Sequence, residues 1–186
     1  MQTTNQHLDH QHAPDASSQP STGAEKLPGI RHVIAVGSGK GGVGKSTVSV
    51  NLAFALQRIG GSIGLMDADV LGPSIPGMLG LPTGQPPAMT ADGKILPADR
   101  HNMKVISMGM LTGDDNPAIL RGPMVSKYLK MFISSVQWGR LDYLLLDLAP
   151  GTGDTQLTLA QSVPLSGAII VTTPQDVSLR IARLGL

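Results

Sequence analysis

The run Gly39-Lys40-Gly41-Gly42-Val43-Gly44-Lys45-Ser46 has the spacing G-x-x-x-x-G-K-[ST]. Glycines at this density let successive backbone N–H groups turn toward one anion. A helix beginning at the end of the run adds the positive end of its dipole and its unpaired first-turn amides. A lysine just after the last glycine reaches the β- and γ-phosphates of a nucleotide, and the hydroxyl after it ligates Mg2+. The run therefore predicts a phosphate-binding loop. Lys45 holds phosphate, Ser46 holds Mg2+, and Thr47 lies beside the α-phosphate. Lys40 places a second cation in the same loop, either as a plain surface charge or as a second group for phosphate.

Acid chemistry in the folded part falls to aspartate, because the one glutamate is Glu25, near the N-terminus. Asp67, Asp69, Asp147 and Asp154 all fall at or just beyond the ends of apolar runs. In an open α/β sheet the carboxyl ends of the strands are where ligands bind. One such carboxylate can hold Mg2+ directly or through water, and another can orient an attacking water. Asp147 closes the apolar run Tyr-Leu-Leu-Leu-Asp, and with Asp67 and Ser46 it forms the candidate metal set. Asp67 and Asp154 have capping of a helix or turn as their second reading.

The elements that must position these groups follow from hydrophobic pattern. Residues 32–36 (HVIAV) predict a buried strand leading into the glycine loop. Val50, Ala53, Phe54 and Leu56 suit helical spacing, so a helix is expected from about Ser46 to Ile59, ended by Gly60 and Gly61. Residues 63–66, 103–108, 143–148 and 168–172 read as further strands. Residues 123–136, 155–163 and 176 onward read as helices, with Pro123 in a first turn. Residues 72–100 are turn-rich, with a small hairpin around Ala91-Asp92-Gly93. Strands alternating with helices predict an α/β domain built on a mostly parallel sheet, with helices on its flanks.

Composition sets the outer limits. The chain has 186 residues, enough for one domain with a sizeable core. Lys+Arg of 14 against Asp+Glu of 13 leaves a net charge of +1, which excludes a strongly basic nucleic-acid binder on charge alone. Cysteine is absent, which excludes a disulfide scaffold, a thiol nucleophile, a Cys-ligated zinc and a cluster held by the chain's own thiolates. Only five residues are aromatic (Trp 1, Tyr 2, Phe 2), so the core must be aliphatic. No stretch approaches the roughly 18 apolar residues of a membrane span, and the N-terminus has no secretory pattern. A cytoplasmic protein with no membrane and no nucleic-acid partner is expected. Residues 1–28 are polar, with His7, His10 and His12 among them, and are expected to form a disordered tail ahead of a folded domain over 29–186. The final helical pattern stops at Leu186, so the parallel sheet is expected to lack its last units.

With these residues in place, the chain resembles the Mrp/ApbC family of P-loop ATPases, iron–sulfur cluster carriers of the MinD/ParA/NifH class. The resemblance runs from about Leu27 to Leu186. It is carried by GKGGVGKST, by DADVLGPSIPGMLGL, by LRGPMVSKYL, by DYLLLDLAPGTGDTQLTLAQ and by SGAIIVTTPQDVSL. It implies that residues 39–47 bind ATP, with Gly39 to Thr47 around the phosphates and Lys40 reaching the nucleotide of a second subunit. It implies that Asp69 lies near the attacking water in a first switch. Asp147 and the stretch Gly151, Thr152, Gly153 and Asp154 would form a second switch that senses the γ-phosphate. It further implies ATP and Mg2+ as cofactors, a homodimer, a [4Fe–4S] cluster as cargo and apoproteins as recipients. Three departures stand out: Ala149 and Leu120 replace residues usual in the family, and the CxxC pair that holds the cluster is missing. The expected activity is slow ATP hydrolysis coupled to cluster carriage. The alternatives are an ATP-dependent positioning switch like ParA or MinD, and an inactive truncated nucleotide-binding fragment.

Overall fold

The structure, a computed structural model, describes residues 27–69, 72–82, 85–112, 122–151 and 163–184. Six strands form one sheet: β1 (Ile30–Gly37), β2 (Ile63–Asp67), β3 (Ala98–Arg100), β4 (Met103–Ser107), β5 (Leu141–Asp147) and β6 (Gly167–Ile170). Their order across the sheet is β3-β4-β2-β5-β1-β6. All neighbouring pairs are parallel except β3 and β4. The helices are α1 (Lys45–Arg58), α2 (Ile75–Leu79), the single turn α3 (Gly109–Thr112), α4 (Gly122–Ser135) and α5 (Asp176–Leu184). The expected mostly parallel α/β architecture is present. The expected tail up to residue 26, and the helix expected over 155–163 up to residue 162, lie outside the described residues.

The central strands are apolar on both faces, as a sheet covered on both sides requires. Along β5 the side chains alternate. Leu144 and Leu146 join one core with Val33, Ala35, Met66, Ile106, Phe132, Ile133 and Trp138. Leu145 joins the other with Ile63, Leu65, Val105, Val50, Ala53, Ile75 and Leu79. Thus α4 closes the first face, and α1 with α2 closes the second. Trp138 is buried, and its indole Nε1–H donates to the Ile133 carbonyl at 3.0 Å.

Two elements depart from the expected turn-rich stretch over 72–100. Residues 75–79 form α2, whose Pro76 sits in the first turn, where it forfeits no hydrogen bond, and whose C-cap Gly80 is left-handed. Residues 98–100 form β3, joined to β4 by His101-Asn102, both at positive φ (51° and 58°), the geometry of a tight hairpin turn. The expected hairpin around Asp92 is present as an antiparallel bridge between Met89 and Ile95.

The sheet brings its carboxyl ends into line. Val36 and Asp67 both register with Asp147, and Asp67 also registers with Ser107. From adjacent strands the chain departs in opposite directions: β1 leads through α1 to β2 on one side, and β5 leads toward β6 on the other. Such a switch point leaves a crevice at the strand ends.

Candidate functional site

The crevice is filled by the glycine loop and the first turn of α1. Gly42 and Gly44 have φ of 74° and 90°, a region that residues with a Cβ rarely adopt. Nothing lies within 4 Å of the position a Cβ would take at either residue, so the loop is open on that side. Gly44 is the N-cap of α1, and it offers no side-chain oxygen to the first-turn amides. The first turn also contains no acidic residue. A 14-residue helix thus presents its positive end with no capping side chain, an environment made for an anion.

Lys45 does not point into solvent. It is 7% exposed, and its Nζ donates to Asp147 Oδ2 at 2.7 Å. Ser46 Oγ donates to the same oxygen at 2.6 Å. Ser49, one turn further along α1, donates to Asp147 Oδ1 at 2.6 Å. The fully buried Asp147 therefore gathers an ammonium and two hydroxyls, although α1 and β5 lie far apart in sequence. This joins three of the expected site residues in one cluster.

Asp67 lies beside it on β2 and is also fully buried. Its Oδ2 accepts from the amides of Ser74 (2.9 Å) and Ile75 (3.1 Å) at the start of α2, and its Oδ1 from the amide of Asp69 (3.1 Å). Its carboxyl is pushed up to about 6 by burial, helped by the charge of Asp147 and opposed by these amides. Asp67 thus carries out the capping role that its position allowed. Among the described residues, the hydroxyl candidate for Mg2+, Ser46, is bonded to Asp147 rather than to Asp67. Asp69 is half-buried, and its Oδ1 accepts from the Gly72 amide at 3.0 Å.

The loop is also braced from behind. The Ser38 carbonyl accepts from the Gly151 amide at 2.8 Å, and Ser38 Oγ donates to the Lys40 carbonyl at 3.0 Å. The Gly37 carbonyl accepts from the Val171 amide at 2.8 Å, just beyond β6. On the far side Gly39 lies against α5. Lys40, Gly41 and Thr47 are exposed, and Gly39 and Val43 are half-buried. Thr152, Gly153 and Asp154 lie outside the described residues. Sequence reasoning missed Ser49 and Ser38. Ser49 gave one faint signal, a hydroxyl on the packed face of α1 beside Val50 and Ala53.

A buried ammonium held over an uncapped helix start, with a hydroxyl and a carboxylate at its side, has the chemistry to hold phosphate and a cation. Comparison with known proteins agrees. Residues 29–186 match the family model described as NUBPL iron-transfer P-loop NTPase. The chain belongs to this family. An iron–sulfur cluster carrier protein of Aquifex aeolicus (strain VF5) is 53% identical over 164 residues, 88% of this chain and 45% of that protein. The carrier of Escherichia coli (strain K12) is 50% identical over 161 residues, 86% of this chain and 43% of that protein. The chain spans about half the length of these curated relatives. Among solved structures, a nucleotide-binding protein of Archaeoglobus fulgidus in complex with ADP is 40% identical, with a TM-score of 0.72. That match covers 86% of this chain and 61% of the other. The cell-division ATPase MinD of Pyrococcus furiosus shares the fold, with a TM-score of 0.59, 23% identity, and coverage of 81% of this chain and 63% of the other. The expected family and P-loop NTPase fold are therefore in place. Among the described residues no helix is long and apolar enough to cross a membrane.

Proposed function

We propose that this chain binds Mg-ATP and hydrolyses it slowly, and that the whole protein, as a homodimer, carries iron–sulfur clusters to apoproteins. The observation that supports this best is the cluster of Lys45, Ser46 and Asp147 at the start of α1. The residues fit the nucleotide: open left-handed glycines, an uncapped helix start and a buried ammonium for the phosphates. They fit the cation too, with one hydroxyl and one carboxylate side by side. Mg2+ supplies charge that stabilises the phosphates as the terminal phosphoryl group passes to water.

On this reading Lys45 exchanges Asp147 for the β- and γ-phosphates, and Ser46 turns its hydroxyl oxygen to the cation. Asp69 orients the attacking water. Lys40, exposed at the loop's edge, reaches the nucleotide of the second subunit. The stretch from Gly151 to Asp154 answers the γ-phosphate, and the bond from the Gly151 amide to Ser38 links it to the loop. No covalent intermediate is formed; catalysis is positioning and charge stabilisation. The chain contains no cysteine, so thiolates for a cluster are not among these 186 residues.

Titration with a fluorescent adenine nucleotide and Mg2+ tests the reading. Wild type is expected to bind, and Lys45→Ala to lose binding. Lys45→Ala binding as strongly as wild type would overturn the assignment.

A further inference from the structure

The three donors on Asp147 are not equivalent. Lys45 Nζ and Ser46 Oγ share Oδ2, and on the reading above both have a second partner in the nucleotide and its cation. Ser49 Oγ alone reaches Oδ1, at 2.6 Å. It also lies 3.2 Å from the Lys45 carbonyl, one helical turn back. A hydroxyl has one proton, and the shorter, charge-assisted contact takes it. Ser49 is fully buried on the packed face of α1, away from the open side of the loop.

We propose that Ser49 is a positioning residue: it keeps the Asp147 carboxylate aimed at the cation while Lys45 and Ser46 turn to the nucleotide. Without it, Asp147 Oδ1 loses the one described side-chain donor that has no ligand to serve. A fully buried carboxylate with an unmet oxygen either rotates or draws the Ser46 hydroxyl back from the cation. Both responses oppose cation binding, and neither impairs the glycine loop's grip on phosphate. Ser49 therefore governs how strongly Mg2+ improves nucleotide affinity, more than the affinity in the absence of metal.

This role rests on the Mg-nucleotide reading of the site, and one experiment separates the two. The dissociation constant of a fluorescent adenine nucleotide is measured on the full chain, in excess EDTA and in saturating Mg2+. The ratio of the two values is the metal coupling. Ser49→Ala is expected to lower that ratio about tenfold or more, from the size of a hydrogen bond to a charged group. Its affinity in EDTA stays near wild type. Ser49→Thr keeps the hydroxyl and is expected to keep the coupling. A Ser49→Ala ratio within about twofold of wild type, below what losing such a bond produces, overturns the role. So does equal loss in the alanine and threonine variants, which marks packing rather than the hydroxyl. Should Ser49→Ala fail to fold, Ser49→Cys, similar in size but a weak donor, is expected to show the same loss, and full coupling in that variant overturns the role. A wild type that binds no nucleotide in either condition overturns the underlying reading; a wild type with normal coupling alongside an unaffected Ser49→Ala overturns only the part assigned to Ser49.

Discussion

Gly39 is the point where the glycine loop meets α5. A β-carbon built there stands 2.5 Å from Ile181 Cγ2, and 3.4 Å from both the Ala182 nitrogen and the Ile181 carbonyl carbon. Carbon atoms in good contact sit about 3.5–4.0 Å apart, so Gly39→Ala demands a shift of about 1 Å. The obstructing methyl cannot swing aside, because it is attached directly to the β-carbon of a branched residue on a helix, where one χ1 rotamer dominates. Either α5 or the loop must move. Overpacking of this kind costs about 1–3 kcal/mol. For a chain of this size that is a fall in Tm of roughly 2–12 °C. Displacement of the loop misaligns the backbone amides that face the phosphates, so nucleotide affinity falls as well. Ile181→Ala removes the methyl and, being half-buried, costs about 1 kcal/mol alone, below the range for a fully buried isoleucine. The double variant is then more stable than the sum of the single effects, by about 1 kcal/mol or more. Differential scanning calorimetry and a fluorescent-nucleotide titration on the four proteins complete the cycle. A Gly39→Ala protein with unchanged Tm and affinity, or strictly additive single effects, refutes the contact as the cause.

Gly64 tests the core away from the site. A β-carbon there meets Leu141 Cδ1 at 2.6 Å, Leu144 Cδ1 at 3.0 Å and Trp138 Cε3 at 3.1 Å, so Gly64→Ala is expected to cost about 1–3 kcal/mol in a thermal melt, with nucleotide affinity unchanged; an unshifted melt contradicts this packing. Asp67 predicts a pH dependence. Its carboxyl rises from the ordinary 3.8 to about 6 on folding, mainly through burial, so between these values the folded state holds the proton that the unfolded state has lost. Stability contributed by this group is full below about pH 4 and falls as pH rises to about 6, by roughly 3 kcal/mol in all. Urea unfolding of wild type and Asp67→Asn across this window isolates the term, because the carboxylates of Asp92 and Asp142, held low by their hydrogen bonds, act alike in both proteins. Parallel pH profiles for the two would refute it.

Much of the site was legible because its signals are local. A phosphate loop is a continuous run, so Gly39 to Thr47 declare it by spacing alone. Strands apolar on both faces, and the helical spacing of Val50, Ala53, Phe54 and Leu56, likewise announce a parallel sheet with helices. The stretch over 72–100 was misread for a local reason too: its prolines and glycines suggested turns, whereas Pro76 sits in a first turn and Gly80 in a C-cap, where each is at home. β3 is three residues long, too short to show a period, and exists because β4 offers it an edge.

The sequence by itself determined the fold class, the phosphate loop and the placing of aspartates at strand ends, since each depends on residues that are neighbours in the chain. Tertiary structure alone decided what those aspartates do. The order β2-β5-β1 sets Asp147 against the first turn of α1, where it takes Lys45, Ser46 and Ser49, while Asp67, one strand over, turns to the amides of α2. It likewise decided that Gly39 must be glycine because Ile181, more than a hundred residues later, lies against it. Spacing along a chain can specify a turn of backbone. Which buried charge meets which donor depends on strand order and register, set by the packing of two cores on opposite faces of one sheet.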